Sequence, residues 1–188
     1  MLASRFGRNA HSLYSRAPLT DDQLRRIAPS IFAEDAHSSR SERYTYIPTS
    51  MVLAGLRKEG FAPFMVCQTR VRDEGKRDHT KHMLRLRHAS QVNDSEAFEV
   101  IMVNAHDGTA AYQMLAGCFR FVCSNGLVVG DTQNDIRIPH KGKIVDEVIQ
   151  GAYTVLNGAG LVREIRDDMR ATALNAGEEQ AFARAALA

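Results

Sequence analysis

Apolar and polar residues alternate along the middle of this chain with two different periods. At Thr20 a capping box forms, with Gln23 three residues on and Asp21 and Asp22 in the first turn, so a short helix is expected over Asp21–Ile27, closed by Pro29. Residues 33–43 are polar and Ser-rich and read as a loop, followed by a short extended piece over 44–48. Val52, Leu53 and Leu56 fall at helical spacing, which predicts a helix over 51–59 capped by Thr49 or Ser50, with Gly60 just past its end. The period then becomes two. Residues 61–72 and 79–87 read as paired strands around the turn residues Asp73, Glu74, Gly75 and Lys76. In the second of these, Lys81, Met83, Arg85 and Arg87 alternate with His82, Leu84, Leu86 and His88. This predicts a half-buried hairpin with one apolar and one basic face.

Residues 91–96 read as a polar loop, and the continuous apolar run from Val100 marks 98–103 as a central strand. The Asp107-Gly108 turn returns the chain into a strand over 110–115. Leu115, Cys118, Phe119, Val122 and Cys123 then take helical spacing and predict a short helix ended by Asn125-Gly126. Short strands are expected over 127–129 and 136–138. A long amphipathic helix over 143–174 carries Ile144, Val148, Ala152, Val155, Leu161, Ile165 and Met169, with a weak point at Gly158-Ala159-Gly160. The sum is an α+β fold in one domain over 1–188. An antiparallel sheet with a basic β-hairpin packs against the long C-terminal helix and shorter helices, and residues 1–20 read as an arm.

Composition narrows the class. With 188 residues, 44% hydrophobic and 24% charged, the chain has enough apolar surface for a core of its own. Three Cys at positions 67, 118 and 123 make no disulfide framework and fit a reducing cytoplasm. No apolar run reaches membrane-spanning length, and the Arg-bearing N-terminus lacks the apolar stretch of a secretory signal. The net charge of +2 conceals a division: residues 1–90 hold 16 Lys and Arg against 9 Asp and Glu, and residues 91–188 hold 8 against 13. The densest basic run, 68–88, carries Arg70, Arg72, Lys76, Arg77, Lys81, Arg85 and Arg87 against Asp73, Glu74 and Asp78. Clustered cations of this kind neutralise phosphates and release counterions.

Other chemistries find less in the sequence. His79, His82, His88 and His106 lie near Asp78 and Asp107, but strand alternation points His79 and His82 to opposite faces, so no metal site is expected. No nucleophile elbow, dinucleotide fingerprint or phosphate-binding P-loop occurs, so neither a catalytic residue nor a cofactor is assigned and an enzyme is not the favoured class. Single-strand binders add aromatic stacking platforms to a basic groove. Tyr44 and Tyr46, flanked by Arg40 and Arg43, are the candidates, and Lys141 and Lys143 beside His140 form a second small phosphate site.

The segments FAEDAHSSRSERYTYIPT (32–49), GFAPFMVCQTRVRD (60–73), HTKHMLRLRH (79–88), HDGTAAYQML (106–115), FRFVCSNGLVVG (119–130) and PHKGKIVDEVIQGAY (139–153) together resemble the YafZ/YfjQ-like proteins of prophages and conjugative plasmids, a domain of unknown function. The resemblance implies a mobile-element accessory protein of the bacterial cytoplasm, and its longer members imply a C-terminal region beyond this chain. The predicted order of elements also resembles the phage single-strand annealing proteins of the Redβ, RecT and Erf kind, which implies a homo-oligomer. The expected partner is therefore nucleic acid, single-stranded DNA above all, bound without sequence readout through the seven cations, with Tyr44 and Tyr46 stacking bases. Two alternatives stand beside it. One is a factor that counters host defence or restriction by binding a host protein through Glu164, Asp167 and Asp168. The other is a metal-dependent nuclease.

Overall fold

Strand alternation builds the body of the molecule. In the computed structural model, which describes residues 10–38, 46, 48–92, 96–120, 126–129, 136–138 and 144–187, seven strands form one antiparallel sheet. They are β1 (His11–Tyr14), β2 (Phe61–Gln68), β3 (His82–Val92), β4 (Glu96–Asn104), β5 (Tyr112–Arg120), β6 (Gly126–Val129) and β7 (Ile136–Ile138). The first five lie side by side in chain order. Then β6 and β7 divide the outer edge of β5 between them, β6 on Ala116–Phe119 and β7 on Tyr112–Met114. Within the N-terminal segment expected as an arm, β1 pairs with β2 as an edge strand, His11 opposite Gln68.

Among the described residues five α-helices accompany the sheet: α1 (Asp21–Ile27), α2 (Thr49–Lys58), α3 (Ile144–Asn157), α4 (Ala159–Ala171) and α5 (Ala176–Leu187). The capping box of α1 forms as the sequence predicts, with Thr20 accepting from Gln23 N and Gln23 Oε1 accepting from Thr20 N. A 3-10 turn, Pro29–Phe32, follows it. The helix expected over 143–174 is two helices meeting at Gly158. α5 begins with its own reciprocal cap, in which Asn175 Oδ1 accepts from Gly177 N and Glu178 N while Glu178 Oε2 accepts from Asn175 N.

One face of the sheet carries Phe61, Val66, Leu84, Leu86, Val100, Met102, Tyr112 and Met114. It packs on Leu24 of α1, Val52, Leu53 and Leu56 of α2, and Ile144, Val148, Ala152 and Val155 of α3. α3 lies close to β5 because Gly151 offers no side chain there; a Cβ would stand 3.0 Å from Met114 Sδ. The other face is buried as well: Met65, Cys67, Ile101, Val103 and Leu115 are all at 5% exposure or less. A sheet covered on both sides explains the unbroken apolar run in β4.

Three expectations differ from the structure, the first two because of that second buried layer. The hairpin is not half-buried. The basic side of β3 is interior, with Arg85 5% and Arg87 4% exposed. The helix expected over 115–123 is strand as far as Arg120, because β5 pairs with β4 along its whole length, Gln113 opposite Val103 through Arg120 opposite Glu96. With apolar residues required on both faces, a strand acquires chance matches to helical spacing. The turn at Asp73 is longer than read. Strand β2 stops at Gln68, and residues Glu74–His79 form a 3-10 helix whose first turn is held by Asp73 Oδ1 accepting from Gly75 N at 3.0 Å.

Gly60 ends α2 with φ +86°, and a Cβ there would sit 2.9 Å from His88 Nε2. Gly60→Ala meets both a left-handed backbone and a blocked space, so chemical denaturation should show a loss of about 1–3 kcal/mol. An unchanged midpoint would show that the α2–β2 corner relaxes freely.

Candidate functional site

Under α2, on the helix-covered face of the sheet, a set of polar side chains closes on itself without solvent. Ser30, Thr49, Gln68, His82, Asn104 and His106 are each 3% exposed or less. The sequence offers Thr49 or Ser50 as the cap of α2. Instead Pro48 precedes the helix, no side chain caps it, and Thr49 in the first turn aims its hydroxyl inward. Thr49 Oγ1 lies 2.9 Å from His82 Nε2, 3.1 Å from His106 Nε2 and 3.0 Å from Asn104 Nδ2. On its other side His82 Nδ1 is 2.8 Å from Ser30 Oγ and 3.3 Å from the Thr80 carbonyl.

Donor counting assigns the protons. Gln68 Nε2 donates to the Arg77 carbonyl at 2.9 Å, so Gln68 Oε1 accepts from Ser30 N and from the Ser30 hydroxyl. Ser30 Oγ has then spent its proton and must accept from His82 Nδ1–H. His82 Nε2 is left as an acceptor, and Thr49 O–H donates to it. Thr49 Oγ1 in turn accepts from Asn104 and from His106 Nε2–H. One directed chain of donors therefore runs from His106 through Thr49, His82, Ser30 and Gln68 to the Arg77 carbonyl, and it has no place for a second proton on His82. Burial agrees, pushing His82 down to about 4 against smaller opposing effects of the Thr80 carbonyl and Asp107. Tyr46 belongs to this centre too. Its hydroxyl donates to the Ala33 carbonyl and its ring meets His106 edge-on at 4.9 Å. It is therefore a clamp over the histidines and is not free to stack a base. Tyr44 lies outside the described residues.

On the opposite face of the sheet, Glu99 is paired with both Arg85 and Arg87. Register explains the triad: Glu99 stands directly across from Arg87 and diagonally from Arg85, which faces Ile101. Arg87 also stacks on Phe64, 4.3 Å to the ring centroid, at the bulge between Pro63 and Met65. A carboxylate inside the apolar run of β4 was the sequence signal for this, since a buried charge of that kind needs a buried partner.

The remaining cations divide further. Arg70 and Arg77 meet Arg26 from α1 and His11 from β1 around a cleft of about 380 Å³, which also holds Glu74. Its floor includes Gln68, so the hydrogen bond from Gln68 to the Arg77 carbonyl ties the cleft to the histidine chain. Arg72 and Lys76 are exposed on the neighbouring segment, and Lys81 is half-buried just before β3. A second cleft of about 530 Å³ lies against Arg25, Phe32, Glu34, Asp35, Asp78 and His79. Among the described residues no three His, Cys, Asp or Glu side chains converge as metal ligands. His140, Lys141 and Lys143 lie outside them. Cys67 is buried, and burial pushes its thiol up to about 11, which leaves it unreactive.

The chain belongs to a family described as Domain of unknown function (DUF932), whose model matches residues 36–188. Its curated relatives include UPF0380 protein YafZ and UPF0380 protein YfjQ, both from Escherichia coli (strain K12). Each is 54% identical over 186 residues, covering 99% of this chain and 68% of the relative. The blocks read from the sequence as YafZ/YfjQ-like are thereby confirmed. No solved structure matches the chain. Among the described residues no helix is long and apolar enough to cross a membrane.

Because His82 is held neutral below the ordinary imidazole range, its contribution to stability is complete above pH 6.5 and is lost as the pH falls toward 4. Urea unfolding should show the wild-type chain losing about 2 kcal/mol more than His82→Gln between pH 7 and pH 5. Equal losses would mean that His82 accepts a proton in the folded state.

Proposed function

We propose that this chain is a mobile-element accessory protein of the bacterial cytoplasm that binds single-stranded DNA chiefly through its phosphates. The observation that carries the reading is the convergence of Arg26, Arg70 and Arg77, from three separate segments, on one cleft with a single carboxylate, Glu74. Guanidinium groups pair with phosphate oxygens in fork geometry, and a concave site lined by them concentrates a polyanion. A cleft of about 380 Å³ has room for a short stretch of one sugar-phosphate backbone. Arg72, Lys76 and Lys81 extend the positive potential around its mouth, while Arg85 and Arg87, held by Glu99, take no part in contact. The footprint is thus a compact anchor rather than a long basic ribbon.

A second reading has its own observation. Residues 171–185 are exposed throughout; Leu161 and Met169 on α4, Leu174 between α4 and α5, and Phe182 on α5 stand in solvent, and Glu164, Asp167 and Asp168 lie on α4. That surface suits a protein partner, such as a host factor.

Fluorescence anisotropy with labelled single-stranded oligonucleotides, at stepped salt and after nuclease treatment of the protein, separates the two. Three to four phosphate contacts predict a slope of log affinity on log salt of about −2 to −3, and Arg70→Ala with Arg77→Ala should flatten it by about 1.4. Absence of binding at low salt overturns the nucleic-acid reading and leaves the protein-partner one.

A further inference from the structure

The three arginines of the cationic cleft come from three segments, and one buried carboxamide joins those segments. Gln68 Oε1 accepts from Ser30 N at 3.1 Å and from Ser30 Oγ at 2.7 Å. Ser30 lies on the 3-10 turn just after α1, the helix that carries Arg26. Arg25, beside Arg26, sits with its Cζ 4.0 Å over the centre of the Phe32 ring, which fastens the helix to the turn. Gln68 Nε2 donates to the Arg77 carbonyl at 2.9 Å, and Arg70 follows Gln68 by two residues. Across the β1–β2 ladder Gln68 stands opposite His11, the fourth cleft residue able to carry positive charge.

The segment that carries Arg70 and Arg77 is pinned at other points as well. Thr69 N donates to the Lys81 carbonyl at 3.0 Å, and Thr69 Oγ1 lies 2.9 Å from Thr80 Oγ1, which closes the stem of the loop. His106 N donates to the His79 carbonyl at 2.9 Å. The two ends of the buried chain therefore grip the same 3-10 helix, His106 at His79 and Gln68 at Arg77. Gln68 is 3% exposed and its oxygen is engaged twice by Ser30, so it acts on a ligand through the backbone that bears the arginines. In an ordinary surface cluster of arginines each side chain must be ordered separately when an anion arrives.

Building on the phosphate reading above, we propose that Gln68 is the positioning residue of the cationic cleft: its carboxamide sets the spacing of Arg26, Arg70 and Arg77 so that together they close on one phosphate. The backbone order this needs is present in the folded chain before the ligand arrives. The arginines supply the charge, and the buried carboxamide supplies the geometry in which those charges act jointly. Because the brace favours binding, binding must favour the brace by the same factor.

Fluorescence anisotropy with a labelled oligothymidylate at fixed low salt tests this on the full chain, comparing wild type with Gln68→Met, alone and combined with Arg70→Ala and Arg77→Ala. Gln68→Met keeps the length of the side chain and removes its hydrogen bonds, and it should weaken binding about fivefold. With Arg70 and Arg77 already replaced there is no spacing left to set, and the same change should alter affinity by less than about twofold. The wild-type chain gives an independent reading by NMR: the Gln68 side-chain amide protons should exchange with solvent more slowly once the protein is saturated with the oligothymidylate. Wild-type affinity in Gln68→Met overturns the positioning role while the phosphate reading stands. A loss of the same size without Arg70 and Arg77 also overturns it, because a merely structural glutamine damages both backgrounds alike. Amide exchange that ignores the ligand overturns it too. No binding by the wild-type chain at low salt overturns both readings.

Discussion

A single neutral imidazole holds the polar interior together. His82 has a fully buried ring, and its two nitrogens are used in opposite senses, Nδ1 donating to Ser30 and Nε2 accepting from Thr49. Ser30 lies on the 3-10 turn after α1, Thr49 opens α2, and His82 opens β3. The ring therefore ties three elements separated in sequence, and the direction of every hydrogen bond in the chain follows from where its one proton sits. Such networks specify one packing when every member is satisfied and fail together when one is not. The price of that specificity is sensitivity to acid, because a second proton on His82 would set Nε2–H against the Thr49 hydroxyl.

The same chain reaches the surface. Gln68 accepts from Ser30 and donates to the carbonyl of Arg77, so the segment that carries Arg77 is referenced to the core rather than left as a loose loop. Side chains on a braced backbone lose less freedom when a ligand arrives, which favours binding. The clefts on either side of the 3-10 helix Glu74–His79 divide the chemistry between them, guanidinium groups on one side and carboxylates with a stacked arginine on the other. The other large concentration of charge, Arg85 and Arg87 on Glu99, is structural. It fills the buried reverse face of the sheet at the register position where the three meet.

Local signals were legible in the sequence. The capping box at Thr20, the helical face of Val52, Leu53 and Leu56, the glycine after α2, and the alternation of Leu84 and Leu86 all appear where local chemistry requires them. The antiparallel α+β class followed from those signals. What stayed hidden depends on contacts across the chain. Alternation in β3 separates two faces but says nothing of what covers each, so the basic face read as open although Glu99 lay across from it. The same ambiguity made β5 imitate a helix beyond Leu115. Thr49 looked like a cap because its locality permits one, and only the placement of His82 and His106, 33 and 57 residues away, turns it inward. Of the candidate site, Arg70 and Arg77 were named in advance. Arg26, His11 and the whole acidic cleft come together only through long-range packing, in which the 3-10 turn Pro29–Phe32 that follows α1 lies against the 3-10 helix Glu74–His79.

The protonation state of His82 sets the direction of every hydrogen bond in the buried chain, and imidazole nitrogen NMR reads it directly. A long-range proton–nitrogen correlation spectrum of the folded chain should show His82 neutral, with its proton on Nδ1, and unchanged as the pH is lowered from neutral to about 5. A proton on Nε2, or a ring that titrates near the ordinary imidazole value of about 6.5, would contradict the directed chain and the braced cleft built on it.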